Sequence, residues 1–74
     1  MGIYMDVTFK VINLVGTSTE GYQQAIDSAI QRASATLKGL EFFEVVEHRG
    51  HIRGTQLVHQ VKIRVGFKVE DITG

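Results

Sequence analysis

The stretch QLVHQVKIRVGFKVE, residues 56–70, alternates without interruption. Leu57, His59, Val61, Ile63, Val65, Phe67 and Val69 share one parity, and Val58, Gln60, Lys62, Arg64, Gly66, Lys68 and Glu70 share the other. Successive side chains of a strand point to opposite faces, so the pattern predicts a strand with one buried and one polar face.

The segment before it, LEFFEVVEHRGHIR at residues 40–53, alternates less well because Phe42 and Phe43, and then Val45 and Val46, come in adjacent pairs. Such pairs predict a strand with both faces partly covered. Arg53-Gly54-Thr55-Gln56 is a compact turn joining the two strands into a long hairpin, with either a two-residue or a three-residue loop. The choice matters, because a one-residue slip exchanges faces. In the three-residue register Phe43, which shares parity with Val45, enters the core with Val65 and Phe67, and Phe42 is left pointing to a subunit junction.

Upstream, DVTFKVINLV at residues 6–15 is rich in β-branched and aromatic residues and stops at Gly16, which predicts a first strand. In GTSTEG, Ser18 or Thr19 is the expected N-cap, with Glu20 in the first turn favouring the helix dipole. Tyr22, Ala25, Ile26, Ala29, Ile30, Ala33 and Leu37 then fall on one helical face, and Gly39 sits where a helix stops. The helix is expected over residues 19–38. The fold class is therefore α+β: a single domain, residues 1–74, with β-α-β-β order and a three-stranded antiparallel sheet packed on one helix.

A chain of 74 residues buries only about 60% of its unfolded surface. Domains this small compensate with disulfides, a metal or self-association, and the absence of cysteine removes disulfides and thiolate metal sites. One helix leaves the second sheet face without a partner, so that face is expected to meet another subunit or a ligand. Eight basic and eight acidic residues give zero formal charge, and hence no global field to draw nucleic acid or an anionic membrane. No apolar run approaches the roughly 20 residues of a membrane span. MGIYMD carries neither a secretory signal nor a myristoylation signal at Gly2, since the sixth residue is Asp6, and the default location is cytoplasmic.

KVINLVGTS, AIDSAIQRASATL, FFEVVEHRGHI and QVKIRVGFKVE, taken together and in this order, resemble the dodecin family over nearly the whole chain. The resemblance implies small β-α-β-β subunits assembled into a hollow homododecamer that stores flavins as stacked pairs between subunits. In flavin-binding dodecins the residue before FEV is a tryptophan that stacks on the isoalloxazine ring; here it is Phe42, and the chain has no tryptophan. The family's glutamine for the polar edge of the flavin corresponds to Gln60. In the bacterial branch that prefers flavin mononucleotide (FMN) over riboflavin, the phosphate-holding basic residues match Arg49 and Lys68. The hairpin loop is one residue shorter than in many relatives.

The residue types agree with the chemistry. A flavin needs an aromatic plane and an amide that both donates and accepts, and Phe42 and Gln60 supply them. Phenylalanine has a smaller π-face than indole, so stacking is expected to weaken. The plainer readings are interface packing for Phe42, solvation for Gln60, and surface ion pairs of Arg49 and Lys68 with Glu47, Glu41 or Glu70. His48 and His51 fall on opposite faces of a strand, while His51 and His59 are expected to face each other across the hairpin, a weak pattern for zinc without further ligands. GTSTEG lacks the lysine and spacing of a P-loop. With no cysteine nucleophile, no carboxylate pair at a recognisable spacing and no Ser-His-Asp arrangement, the chain reads as a binder and not an enzyme. The alternative to flavin storage is a dodecin-like assembly that has lost flavin or binds another ligand. An electron-transfer role is disfavoured, because stacking on both flavin faces leaves no room for a substrate.

Overall fold

Residues 56–69 form the central strand of the sheet in the computed structural model, which describes residues 6–69. The elements are β1 (Thr8–Ser18), α1 (Tyr22–Thr36), β2 (Leu40–Arg53) and β3 (Gln56–Val69). All three strands are antiparallel in the order β1-β3-β2, so β3 is paired on both sides. The expectations placed on Gly2 and Glu70 lie outside the described residues.

The parity read in β3 is the parity found. Val61, Ile63 and Val65 are the only large side chains among the described residues that are fully buried, and they lie against Ala25, Ile26 and Ala29 of α1. Ile12, Leu14, Ile30 and Leu40 pack around this cluster. The alanines let α1 approach β1 closely at Gly16, where a Cβ would lie 2.2 Å from the Ala25 carbonyl oxygen. Gly16 therefore does not end the first strand, as its position suggested. It is the close-packing point of a strand that continues to Ser18, pairing Gly16 with Val61 and Ser18 with His59.

That continuation displaces the helix start. Ser18 is held in the sheet and its hydroxyl accepts the Glu20 N–H at 3.0 Å, a local turn rather than a helix cap. Gly21 takes the N-cap position with no side-chain hydrogen bond, and the first turn holds no acidic residue, so Ser18, Thr19 and Glu20 do not fill the roles the sequence suggested. The helix also ends early: Leu37 is extended, its N–H donating to the Ala33 carbonyl at 2.8 Å.

The hairpin turn is the two-residue one, Gly54-Thr55, with Arg53 opposite Gln56. Gly54 has φ of 64° and Thr55 does not share the positive value, the pattern of a II′ turn whose twist suits the flanking strands. The helix lies over β1 and β3 and scarcely reaches β2, whose residues are exposed from Glu41 to Arg53.

Candidate functional site

With Val61, Ile63 and Val65 beneath the helix, the intervening residues of β3 form the opposite, open face of the sheet. Antiparallel partners share a face, so the register assigns the rest. Phe42 lies opposite Gly66, Glu44 opposite Arg64, Glu47 opposite Lys62 and Arg49 opposite Gln60. From β1, Phe9 lies opposite Lys68 and Thr17 opposite Gln60.

Two irregularities in β2 decide which phenylalanine goes where. A two-residue turn, continued in perfect register, would pair Phe43 with Gly66 and turn Phe42 toward the helix. The register instead shifts between Val45 and Glu47, and again between Leu40 and Phe42. The shift at Val46 absorbs that residue as an extra one and exchanges the faces of residues 42–45, and the shift at Glu41 returns Leu40 to its original face. Phe43 thus pairs with Val65 and Phe42 with Gly66. The adjacent apolar pairs in β2 belong to a strand exposed on both sides.

The Phe42 ring lies across the backbone of Gly66, where a Cβ would come within 2.2 Å of its Cζ. Phe9 meets it edge-on, with centroids 5.3 Å apart and planes at 72°. The ring remains 44% exposed. Phe43 occupies the helix-side face, but it is 49% exposed, because α1 does not extend over β2. It is therefore not a core residue of the isolated subunit.

The four candidate site residues share the open face yet fall into two groups. Lys68 is two residues from Gly66 on β3 and therefore on the Phe42 side. Arg49 and Gln60 are direct partners farther along the hairpin. Gln60 and Gly66 are six residues apart, which at the rise of a strand separates the groups by about 20 Å. One flavin cannot touch Phe42 and Gln60 of the same subunit, so a site using both needs two copies of the chain. Arg49 donates to Glu47 at 2.8 Å in an exposed pair of small energetic weight. Arg64 and Glu44 form a cross-strand pair at 3.0 Å nearer Phe42.

The histidines are placed differently from the expectation. His51 lies opposite Val58 on the open face, whereas His59 lies on the helix side. Across the hairpin His59 meets His48 instead, Nδ1 to Nε2 at 3.4 Å. Among the described residues no three metal-ligating side chains gather at one point. Sequence reasoning did not single out Phe9 and Gly66 as parts of the site. Phe9 lies two residues from Val11, and Gly66 is the one small residue on a parity of long polar side chains.

The fold is a small α+β subunit whose single helix leaves one strand bare and whose open face carries an aromatic ring and separated polar groups. The Dodecin family model matches residues 8–70, and the chain belongs to the dodecin family. It is 44% identical over 68 residues to dodecin from Thermus thermophilus, covering 90% of this chain and 99% of that protein. A crystal structure of a tryptophan-to-phenylalanine mutant of that dodecin superimposes with a TM-score of 0.85 at 45% identity, covering 89% of this chain and all of the other. Dodecin from Streptomyces davaonensis gives a TM-score of 0.85 at 46% identity, with coverage of 90% and 100%. A more distant relative, calcium dodecin from Mycobacterium tuberculosis, is 29% identical over 62 residues, covering 82% of this chain and 87% of its own length.

Proposed function

We propose that this chain is a flavin-binding and storage subunit of a hollow homododecamer, with Phe42 as the stacking plane, Gln60 of another copy on the polar edge of the ring, and FMN as the preferred flavin. The observation that carries this reading is the Phe42 ring seated on Gly66 and 44% exposed on the sheet face away from the helix. An interface residue needs only to bury area, whereas a stacking residue needs a fixed plane with a free face, and Gly66 and Phe9 provide the fixing. Lys68 beside Phe42, and Arg49 beside Gln60, place a cation near either end of such a ligand, which favours a phosphate-bearing flavin. The role is binding and sequestration rather than catalysis, and it is carried out in the cytoplasm. No helix of the described residues is long and apolar enough to cross a membrane.

The second reading, an assembly that has lost flavin, is favoured by the phenylalanine where flavin-binding dodecins carry tryptophan. A calcium role like that in the name of the Mycobacterium tuberculosis relative has less support, since the described residues bring no three acidic or histidine side chains together and calcium demands six to eight oxygen ligands. Titration of the purified protein with FMN separates the readings. Quenching of flavin fluorescence at saturable stoichiometry supports storage. Absence of quenching at high micromolar FMN, in an intact assembly, overturns it.

A further inference from the structure

His48 and His59 stand on neighbouring strands of the hairpin, on the helix-side face and away from Phe42, Gln60, Arg49 and Lys68. His48 is diagonal to His59, whose direct partner on β2 is Gly50, so no side chain comes between the imidazoles. The Tyr22 ring at the start of α1 stacks on His48, centroids 4.7 Å apart and planes 30° from parallel, and holds its orientation. His48 Nε2 and His59 Nδ1 face each other at 3.4 Å.

At that spacing one pair of tautomers makes a hydrogen bond, one ring nitrogen donating to the other. Two ligands bonded to one tetrahedral ion at roughly 2.0–2.1 Å stand about 3.3 Å apart. A neutral imidazole can also turn a bare nitrogen to its neighbour by changing tautomer, and with both facing nitrogens bare the pair presents two donors to one cation at this bite.

We propose that His48 and His59 form a two-imidazole site for a divalent late first-row transition metal ion of the Zn2+ or Cu2+ type, with water completing the coordination. Imidazole suits these ions, and Cu2+ and Zn2+ stand high in affinity for nitrogen donors. Calcium is excluded by its preference for oxygen. Because the pair and the candidate flavin residues lie on opposite faces of the sheet, metal and flavin occupy the protein independently.

The test uses the intact assembled protein after chelator treatment. Calorimetric titration with Zn2+ should show one ion per chain, and His48→Gln or His59→Gln should each weaken binding by at least about tenfold, while His51→Gln leaves it unchanged. One equivalent of Cu2+ added to the unsubstituted protein should give an electron paramagnetic resonance spectrum with coupling to two imidazole nitrogens, which guards against variants that fail to assemble. Loss of Zn2+ affinity in His51→Gln equal to that in His48→Gln, or a copper spectrum without two nitrogen ligands, overturns the proposal.

Discussion

Phe42 and Gly66 face each other across β2 and β3, and the ring of one occupies the space that a side chain on the other would need. The contact follows from the register shift at Val46, because without it Phe43 would stand there instead. A bulge in an edge strand thus selects the aromatic that the open face presents. Phe9, from the far side of β3, then closes one edge of the ring.

Gly66→Ala should push the Phe42 ring off the sheet, since the new Cβ would lie 2.2 Å from Cζ while the ring has solvent to swing into. The expected fold penalty is at the low end of the about 1–3 kcal/mol typical of overpacking. Flavin affinity should fall much further than stability. Denaturant midpoints and FMN titrations on the same variant check the two separately, and equal affinity with the wild type would show that the ring plane does not matter.

Gly16→Ala should behave in the opposite way. Its Cβ would meet the Ala25 carbonyl oxygen at 2.2 Å and Ala29 Cβ at 3.0 Å, and a backbone atom of a packed helix has no free space to move into. The helix must lift from β1, uncovering part of a core with three large fully buried side chains among the described residues. A loss of about 3 kcal/mol, at the upper end of overpacking costs, is expected in chemical denaturation. A stability change below about 0.5 kcal/mol, the level of an ordinary surface substitution, would contradict the packing described.

The contrast between these glycines shows what the sequence made legible. Strict alternation in β3 and the helical spacing from Tyr22 to Ala33 identify the core, because both faces of that interface are periodic. The bulges leave no glycine or proline at Glu41 or Val46, so the sequence held no local mark of where the register shifts. A two-residue turn plus a bulge also yields the same Phe43–Val65 pairing as a three-residue loop without one, so the facing does not reveal the length of the turn. Ser18 and Thr19 have capping side chains and so suggest an earlier helix start, but pairing with β3 keeps Ser18 in the sheet. The division of the site residues into two groups depends on distance along β3, which residue types do not encode.

Phe43 connects the fold to the proposed assembly. It lies on the helix-side face but half-exposed, beside Val45, which is also exposed. A buried phenylalanine lost to alanine costs about 3–5 kcal/mol, and here most of that penalty should fall on association between subunits. Light scattering on Phe43→Ala should show smaller species at micromolar concentration, with helix and strand content retained by circular dichroism. An unfolded monomer would mean that Phe43 supports the subunit core, and a stable monomer of the unsubstituted chain would remove the assembly altogether.

Charge should separate FMN from riboflavin. If Arg49 or Lys68 meets the phosphate, FMN binds more tightly at low salt, and added salt narrows the difference because screening weakens charge–phosphate attraction. Arg49 is tied to Glu47 at 2.8 Å, so Glu47→Gln should release the guanidinium and widen the FMN preference, whereas Arg49→Ala should narrow it. Affinities for the two flavins that are equal at low ionic strength would take both cations out of the site.

The decisive substitutions are at Phe42. Stacking of a base on an aromatic side chain is worth about 1–3 kcal/mol, and every 1.4 kcal/mol is a factor of ten in affinity. Phe42→Ala removes the plane and should weaken FMN binding by about tenfold or more while the oligomer persists, since Gly66 and Phe9, which hold the ring, lie within its own subunit. Phe42→Trp enlarges the plane and supplies a better electron donor, so both affinity and the quenching of flavin fluorescence should rise. The bulkier indole must still fit over Gly66, which is possible because that position carries no side chain and Phe9 approaches from one edge alone. Fluorescence titration measures binding and light scattering measures assembly on the same samples. If Phe42→Trp leaves affinity unchanged and Phe42→Ala dissociates the oligomer, the ring is a packing residue at a subunit junction and the flavin-stacking role assigned to it is wrong.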